Sequence, residues 1–373
     1  MIELQEGIIP EVDKRHDYAI VSITKHGVEM GRNLHQTFPN ADLYYMAKFE
    51  RGDEKQRHIQ LFTGTVRLLL PALFKQYKGL ILIISLGAVV RMIAPILVDK
   101  KTDPGVVVVD DRGENVISVL SGHLGGANEL TYEVAAAMNA RPIITTASDV
   151  QKTIPVDLFG SRFGWTWDSD EKLTPVSASV VNEEHVAIIQ ETGERDWWMR
   201  DVPMPSHIKI YPNSAAVIEA KPDATLWITD RIIEPHEEVL LENGTIFRPK
   251  SIVIGMGCNR GTSKEEIQAV IQETLAELKL SEKSVKALCT IDLKKDEVGF
   301  LETVEEKEWE FITYTPEELN EIDFNNPSDV VFKYTGAYGV SEPAALRYSG
   351  ASELVLEKKK SGNVTISVAK IPF

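Results

Sequence analysis

Two short segments that are apolar at almost every position limit the folds open to this chain. They are residues 79–85 (GLILIIS) and residues 106–110 (VVVVD). A strand with one face in water alternates apolar and polar residues, so an unbroken apolar run indicates a strand covered on both faces. Helical patterns at residues 28–38, 65–77 and 129–138 separate these runs from other strand-like segments. Residues 1–145 are therefore predicted to form a layered α/β domain with a mostly parallel sheet.

The pattern changes twice further along the chain. Residues 146–248 hold five of the six tryptophans, several turn signals and short strand-like runs, which favours a smaller mixed α/β domain. Residues 249–373 begin with an apolar strand and a glycine-rich turn, and Ser263 followed by Glu266 predicts a capping box at the next helix. A closing hairpin is predicted across the lysine-rich turn KKKSGN. We therefore predict α/β domains of three-layer type with mostly parallel sheets at 1–145 and 249–373, joined by the mixed domain.

Composition and charge argue against several classes of protein. The formal net charge is −16, and no stretch is basic enough to follow a phosphate backbone, so nucleic acid is not an expected partner. The longest mainly apolar run, residues 79–90, is too short for a membrane span of roughly 20 residues, and the first residues lack the features of a signal peptide. With only two cysteines, Cys258 and Cys289, the chain is expected in a reducing compartment, the cytoplasm.

The glycine-rich segment 121–128 (SGHLGGAN) is the most specific motif. The surrounding pattern places it between a strand and a helix. There Gly122, Gly125 and Gly126 would let the backbone approach a ligand and turn main-chain amides towards an anion. A histidine in such a loop, His123, is positioned to exchange protons near neutral pH. The alternative is a tight strand-to-helix turn that contains a histidine by chance.

Several charged residues near predicted strand ends are candidates for the same crevice. The carboxyl ends of parallel strands are where α/β sheets bind ligands, and Asp149 closes the strand in TTASD. Three further aspartates could add a carboxylate there or simply cap turns: Asp103, Asp110 and Asp111. Arg91 follows a buried strand and could grip a substrate carboxylate, or pair with Asp99 or Asp103.

A second glycine-rich segment, residues 255–261 (GMGCNRG), has a spacing unlike that of dinucleotide-binding loops. Its glycines follow G-x-G-x-x-x-G, and no acidic residue closes a strand about 20 positions later. NAD binding is therefore not expected, although the loop could bind another anion. Cys258 could be an activated nucleophile or a small residue packed in a tight turn. The histidines and cysteines lack metal-ligand spacing, so no protein-bound metal is predicted.

Several blocks of the sequence together resemble the CbiG family of cobalamin biosynthesis proteins. SLGAVVRMIAP, DPGVVVVDDRGENVISVLSGHLGGANEL and ITTASD are similar to the family's N-terminal half. FRPKSIVIGMGCNRGTSKEEI, CTIDLKKDEVGFL and KKKSGNVTISVAK are similar to its C-terminal domain, and the middle domain matches in position and in LWITDR. The chain departs from the family in TGAYGVSEPAAL, where the family tends towards Thr-Gly-Val and this chain has Ala337 followed by the bulky Tyr338.

The resemblance implies a hydrolase of anaerobic cobalamin synthesis that opens the δ-lactone of cobalt-precorrin-5A and releases acetaldehyde, giving cobalt-precorrin-5B. Cobalt would arrive on the substrate, so no cofactor held by the protein is expected, and neighbouring pathway enzymes are candidate partners. A stand-alone protein of the aerobic route resembles only the C-terminal domain, which implies lactone chemistry in residues 1–145 and macrocycle binding in residues 249–373. The alternatives are a non-catalytic corrinoid carrier and a nucleotide-dependent enzyme. The sequence gives no oligomeric state.

Lactone opening needs an activated water and a stabilised oxyanion, which suggests roles for the candidate residues. We expect His123 to be the base that activates water and Asp149 to orient it or to handle the alkoxide proton. Main-chain amides of the first glycine loop would stabilise the oxyanion. Substrate contacts are expected from the other candidates: Arg91, Ser121, Gly122, Gly125, Gly126, Asn128, Gly257, Cys258 and Arg260.

Overall fold

The computed structural model describes every residue, Met1–Phe373, and the chain divides into two compact units, Met1–Leu158 and Phe159–Phe373. The first unit contains one eight-stranded sheet with helices. Its strands are β1 (Ile2–Glu3), β2 (Tyr18–Ser22), β3 (Ala41–Met46), β4 (Gln60–Thr63), β5 (Gly79–Ile83), β6 (Gly105–Val109), β7 (Asn115–Leu120) and β8 (Arg141–Ile143). Its helices are α1 (Lys25–Thr37), α2 (Val66–Gln76), α3 (Leu86–Ile93), α4 (Ala127–Met138) and α5 (Ala147–Val150).

Two hydrophobic cores, one on each face of this sheet, hold the first unit together. Successive residues of a strand point to opposite faces, and β5 and β6 are buried at every position because both faces are covered. One core includes residues of α2 and α3, and the other includes residues of α1 and α4. Pro71 lies inside α2, which continues through it. The predicted layered α/β arrangement is confirmed.

One pair of strands reverses the direction of the sheet. The order is β1-β4-β3-β2-β5-β6-β7-β8, and every neighbouring pair is parallel except β6 and β7. In that hairpin Val106 lies opposite Leu120 and Val109 opposite Val116. The carboxyl end of β7 therefore lies at the edge where β6 begins. The segments that follow β7 and β8 are consequently at the opposite edge from the carboxyl ends of β2, β5 and β6.

The second unit begins with a five-stranded sheet of order β11-β10-β12-β13-β9, in which only β9 is antiparallel. Its elements are β9 (Thr166–Trp167), α6 (Asp170–Val181), β10 (Val186–Gln190), β11 (Ile208–Tyr211), α7 (Ser214–Ala220), β12 (Ala224–Ile228), a 3-10 helix (Pro235–Leu241) and β13 (Gly244–Arg248). Phe159 meets the rings of Trp165, Trp197 and Phe247 edge-on, with centroids 5.0 to 5.7 Å apart. Two of the clustered tryptophans thus pack in this region's core.

The other sheet of this unit has the order β16-β15-β14-β18-β17. Strands β14, β15 and β16 are parallel to one another, and β18 is antiparallel to both of its neighbours, β14 and β17. Its elements are β14 (Ile252–Cys258), α8 (Lys264–Glu277), β15 (Val285–Ile291), α9 (Val298–Lys307), β16 (Glu310–Tyr314), α10 (Pro316–Asn320), α11 (Asp329–Thr335), α12 (Ser341–Ser349), β17 (Leu356–Ser361) and β18 (Val364–Lys370). The closing hairpin is present, but the lysine-rich run lies in β17, and Gly362 and Asn363 make the turn.

Contacts in the second unit refine two sequence predictions. Ser263 caps α8 by accepting from the Glu266 amide (3.2 Å), but the Glu266 carboxylate accepts from the Asn363 amide (2.9 Å), so the capping box is half formed. Buried Asp230 accepts from the Ser251 hydroxyl (2.7 Å), which joins the regions of the two sheets. The domain boundaries at 145/146 and 248/249 stay predictions. None of the helices is long and apolar enough to cross a membrane.

Candidate active site

Residues 121–126 leave β7 and enter α4 as a compact loop at the sheet edge where β6 begins. The Gly126 amide donates to the His123 carbonyl (2.8 Å), and the Ala127 amide donates to the Ser121 carbonyl (3.1 Å). Gly126 has φ +75° and Ser121 has φ +54°, so the backbone is left-handed at both positions. A Cβ atom on Gly125 would lie 2.3 Å from the Ser121 Cβ, which makes glycine necessary for this turn.

The hydrogen bonds of the loop correct part of the expected oxyanion site. The amides of Gly126, Ala127 and Asn128 donate to carbonyls of the loop itself, so the start of α4 does not offer them to a ligand. We expected the Gly126 amide to stabilise an oxyanion, and the structure contradicts this. The amides of Gly122 and Gly125 make no hydrogen bond within the protein and stay candidate donors.

The imidazole of His123 lies between two carboxylates. Its Nδ1 is 2.8 Å from Asp157 Oδ1, and its Nε2 is 3.1 Å from Asp149 Oδ2. Only 12% of the side chain is exposed. Burial by itself lowers the pKa of His123, but the hydrogen bonds to Asp149 and Asp157 outweigh it and raise the pKa to about 9. The imidazole is therefore protonated at neutral pH and donates from both nitrogens.

The charge state of this cluster changes the expected role of its histidine. An imidazolium that donates from both nitrogens has no free lone pair, so it cannot take a proton from water. The raised pKa therefore favours His123 as a proton donor over His123 as the base that begins the reaction. The carboxylate of Asp149, 3.1 Å from Nε2, is the candidate proton acceptor beside it.

Asp157 is the candidate residue that the sequence did not reveal. It lies in a 3-10 turn, Val156–Leu158, 34 residues after His123. An aspartate in such a turn usually has a local role, so the segment carries no motif. The sequence feature that could have indicated Asp157 was its position shortly after Asp149, on the segment that follows β8.

Asn128 fixes the position of Asp149 rather than that of a substrate. Its side-chain Nδ2 donates to Asp149 Oδ2 (2.8 Å) and to Thr146 Oγ1 (2.9 Å), while its Oδ1 accepts from Ser118 (2.7 Å). Asn128 is 6% exposed, and both ends of its amide are occupied. The structure thus contradicts the expectation that Asn128 contacts substrate. A chain of hydrogen bonds runs from Asn128 through Asp149 to His123.

Other expected residues do not join this cluster. Asp110 and Asp111 follow β6 in the hairpin, about 16 Å from the glycine loop at roughly 3.3 Å per strand residue. Arg91 is on α3, which follows β5, so it too belongs to the opposite edge, and its guanidinium donates to a carbonyl of its own helix (3.1 Å). Asp103 lies beside the loop, but it is buried and accepts from the Val98 amide (3.1 Å) instead of from Arg91.

The carboxyl ends of β2, β5 and β6 enclose a separate cavity of about 470 Å³. Its lining is mainly apolar, and the Thr24 hydroxyl in it donates to Asp111 (2.8 Å). Asp110 accepts from the amides of Arg112 (2.8 Å) and Asn115 (2.6 Å), so it holds the hairpin turn. The crevice predicted from the strand ends is therefore present, but the catalytic candidates are at the other edge.

The first four residues of the second glycine-rich segment, 255–258, form the last part of β14, and this strand ends at Cys258. Gly255 is required for packing, because a Cβ there would lie 1.8 Å from the Ser341 carbonyl oxygen at the start of α12. Burial raises the pKa of the half-buried Cys258 thiol, which keeps it protonated. This favours the reading of Cys258 as a packed residue over an activated nucleophile.

The turn after Cys258 is tied to the segment that precedes α9. The Gly261 amide donates to Glu297 Oε1 (2.7 Å), and Arg260 pairs with Asp296 (2.6 Å). The Glu297 carboxylate thus accepts from the Gly261 amide, which a bound phosphate would need as a donor. The Arg260 side chain is 57% exposed, but its guanidinium also donates to the Leu293 carbonyl, so both terminal nitrogens have protein partners. No group of three or more histidine, cysteine, aspartate or glutamate side chains is arranged to hold a metal ion.

Comparison with known proteins relates the whole chain to cobalamin biosynthesis. Three family models match: Cobalamin synthesis G N-terminal (residues 69–149), Cobalamin biosynthesis central region (154–242) and Cobalamin synthesis G C-terminus (252–369). A protein of Priestia megaterium named cobalt-precorrin-5A hydrolase is 66% identical over 373 residues, which covers 100% of both chains. One of the same name from Salmonella typhimurium is 29% identical and covers 95% of this chain and 98% of the relative. Protein CobE of Sinorhizobium sp. is 30% identical over 32% of this chain and 79% of its own length. The chain therefore belongs to the CbiG family of cobalamin biosynthesis proteins.

Proposed function

We propose that this chain is a cobalt-precorrin-5A hydrolase, which opens the δ-lactone of its substrate and releases acetaldehyde to give cobalt-precorrin-5B. Its relationship to a protein of that name at 66% identity over both full lengths carries the proposal. The His123 cluster supports it, because a corrinoid carrier has no need of a buried imidazolium between two carboxylates. The cobalt travels with the substrate.

In the first step, Asp149 takes a proton from water as the water oxygen attacks the lactone carbonyl. The substrate displaces Asp149 from His123 Nε2, and the amides of Gly122 and Gly125 donate to the oxyanion. The tetrahedral intermediate then expels the ring oxygen as an alkoxide, which takes the Nε2 proton of His123. This step consumes one water and leaves a carboxylic acid, a carbinol, protonated Asp149 and neutral His123.

In the second step, neutral His123 takes the carbinol proton. The carbinol carbon becomes the carbonyl of acetaldehyde, its bond to the macrocycle breaks, and the electron pair of that bond passes to the macrocycle. Asp149 protonates the macrocycle and returns to the carboxylate, while His123 is again an imidazolium. Asp157 holds His123 Nδ1 throughout, so it acts as a positioning residue.

Substrate binding is proposed for the second unit, in line with the predicted role of residues 249–373. Gly257, Cys258 and Arg260 lie at the carboxyl end of β14, where Arg260 can contact a peripheral carboxylate of the macrocycle. We further propose that the protein works in the cytoplasm beside neighbouring pathway enzymes, where its two free cysteines stay reduced.

Anaerobic incubation with cobalt-precorrin-5A tests the proposal. Trapping of one acetaldehyde per substrate consumed is the expected result, with His123→Gln reducing the rate at least 100-fold. Tight binding of the corrinoid without any aldehyde would favour the carrier and refute the hydrolase.

A further inference from the structure

Tyr338, in the turn that precedes α12, forms part of an exposed aromatic pair. Tyr338 stacks on Phe332, with ring centroids 4.5 Å apart and 24° between the ring planes. The two residues are 40% and 41% exposed, so much of the pair faces solvent. Stacked rings in this position present an apolar π surface that has no ligand or partner within the protein.

The turn that carries Tyr338 is fixed by hydrogen bonds and packing. The Tyr338 amide donates to Asn320 Oδ1 (2.9 Å), and the Tyr338 carbonyl accepts from the Ser328 amide (2.8 Å). Gly339 packs on Phe324, since a Cβ there would lie 2.4 Å from the phenyl ring. A ligand that stacks on Tyr338 therefore meets a surface that needs little ordering, which favours binding.

This aromatic pair adjoins the loop already proposed to bind substrate. A Cβ on Gly257 would lie 3.7 Å from Val340 Cγ1, so Val340 lies against the end of β14. Tyr338 precedes Val340 by two residues and is within about 7 Å of it along the chain. The aromatic rings, Cys258 and Arg260 thus belong to one region of the C-terminal sheet.

We propose that Tyr338 and Phe332 form a stacking surface for the conjugated macrocycle of the corrinoid substrate. The identity of this ligand rests on the proposed function. A broad conjugated ring offers the contact area that aromatic side chains bind well. Its peripheral carboxylates can replace Asp296, which is 70% exposed, as the partner of Arg260, because such exposed ion pairs are weak.

Three variants test the surface. Tyr338→Val removes the ring and Tyr338→Phe keeps it. Tyr334→Val is the matched control, because Tyr334 is on α11, the helix that carries Phe332, is 77% exposed, and makes no ring contact. The probe is cobyrinic acid, a stable cobalt corrin with peripheral carboxylates, followed by its absorption spectrum and by tryptophan fluorescence. Tyr338→Val is expected to weaken binding about tenfold, and the other two variants to stay within about twofold of wild type.

Turnover and folding measurements separate the possible outcomes. With cobalt-precorrin-5A, Tyr338→Val is expected to raise KM about tenfold and to leave kcat within about twofold. If folded Tyr338→Val bound cobyrinic acid with wild-type affinity, the stacking surface would be overturned, even if acetaldehyde were still released. The same holds if the substitution changed only the oligomeric state. Tenfold weaker binding with no acetaldehyde from any variant would instead overturn the proposed reaction and support the surface.

Discussion

Replacement of Asp157 by asparagine tests whether the two carboxylates keep His123 charged. The pKa of His123 is raised from 6.5 to about 9, which favours the protonated form by about 3 kcal/mol. Asparagine keeps an oxygen acceptor for Nδ1 but removes one negative charge. Together the carboxylates also overcome the opposing effect of burial, and one opposite charge at this distance typically shifts a pKa by about 1–3 units. In Asp157→Asn the pKa of His123 is therefore expected to fall by roughly 1 to 2 units.

Two measurements check this expectation. NMR titration of protein labelled at histidine gives the pKa of His123 directly, with the spectrum of His123→Gln identifying its signal. The proposed reaction begins with protonated His123, so acetaldehyde release should decline above about pH 9 in the wild type and above about pH 7 to 8 in Asp157→Asn. Asp17→Asn is the matched control, because Asp17 has a 40% exposed side chain and pairs with Lys78 (3.0 Å).

Either measurement can refute the reasoning. An unchanged His123 pKa in Asp157→Asn would show that the carboxylate does not hold the charge. A variant that gained activity at pH 8 would show that the neutral imidazole begins the reaction, as the sequence first suggested. The same shift in Asp17→Asn would point to a general change in the protein rather than to the pair.

Three further predictions follow from particular contacts. The folded pKa of His123 lies above its unfolded value, so its contribution of about 3 kcal/mol is present below pH 6.5 and is lost as the pH rises to about 9. Urea unfolding should therefore show the stability gap between wild type and His123→Gln shrinking over that range, and a widening gap would contradict the charge state. Asn128→Ala should lower kcat about tenfold and leave KM unchanged, because the substitution removes a hydrogen bond to Asp149 and Asn128 does not contact substrate. A raised KM with unchanged kcat would argue against this role of Asn128. Gly255→Ala should lower the free energy of unfolding by about 2–3 kcal/mol. Gly87→Ala should not destabilise, because its Cβ would meet only the end of the Arg91 side chain at 3.5 Å, and equal effects would contradict the packing argument.

The parts of the structure that depend on local sequence could be predicted well. The buried strands β5 and β6 follow from their unbroken apolar runs, and the start of α8 follows from the hydroxyl of Ser263. The structure also brings His123 and Asp149 together as expected, but Asp149 lies in the short helix α5 and not at the end of the strand in TTASD, which stops at Ile143. The two strands and the helix start need only the character of a segment and the order of its neighbours.

Two features depended on information that the segment patterns do not carry alone. Asp157 reaches His123 only through the fold of the chain between them, and no short-range pattern describes that contact. The reversal at β7 could have been foreseen, because five residues join β6 to β7, and parallel strands need a crossover of a dozen or more. The short connection therefore places Asp110 and Asp149 at opposite edges of the sheet. The expectation that all strand ends face one crevice had placed the two residues together.

The arrangement of one imidazole between two carboxylates has a consequence for the order of proton transfers. While Asp149 is a carboxylate, it helps to hold the proton on His123, so the imidazolium is a weak acid. When Asp149 takes the proton of the attacking water, that support disappears and His123 becomes a stronger acid just as the alkoxide forms. Asp157 keeps its charge, so the neutral imidazole that results is still oriented and basic enough to take the carbinol proton. In the proposed mechanism, a single carboxylate could not both accept the proton of the attacking water and keep the imidazole oriented for the second transfer, so the two proton transfers require two carboxylates.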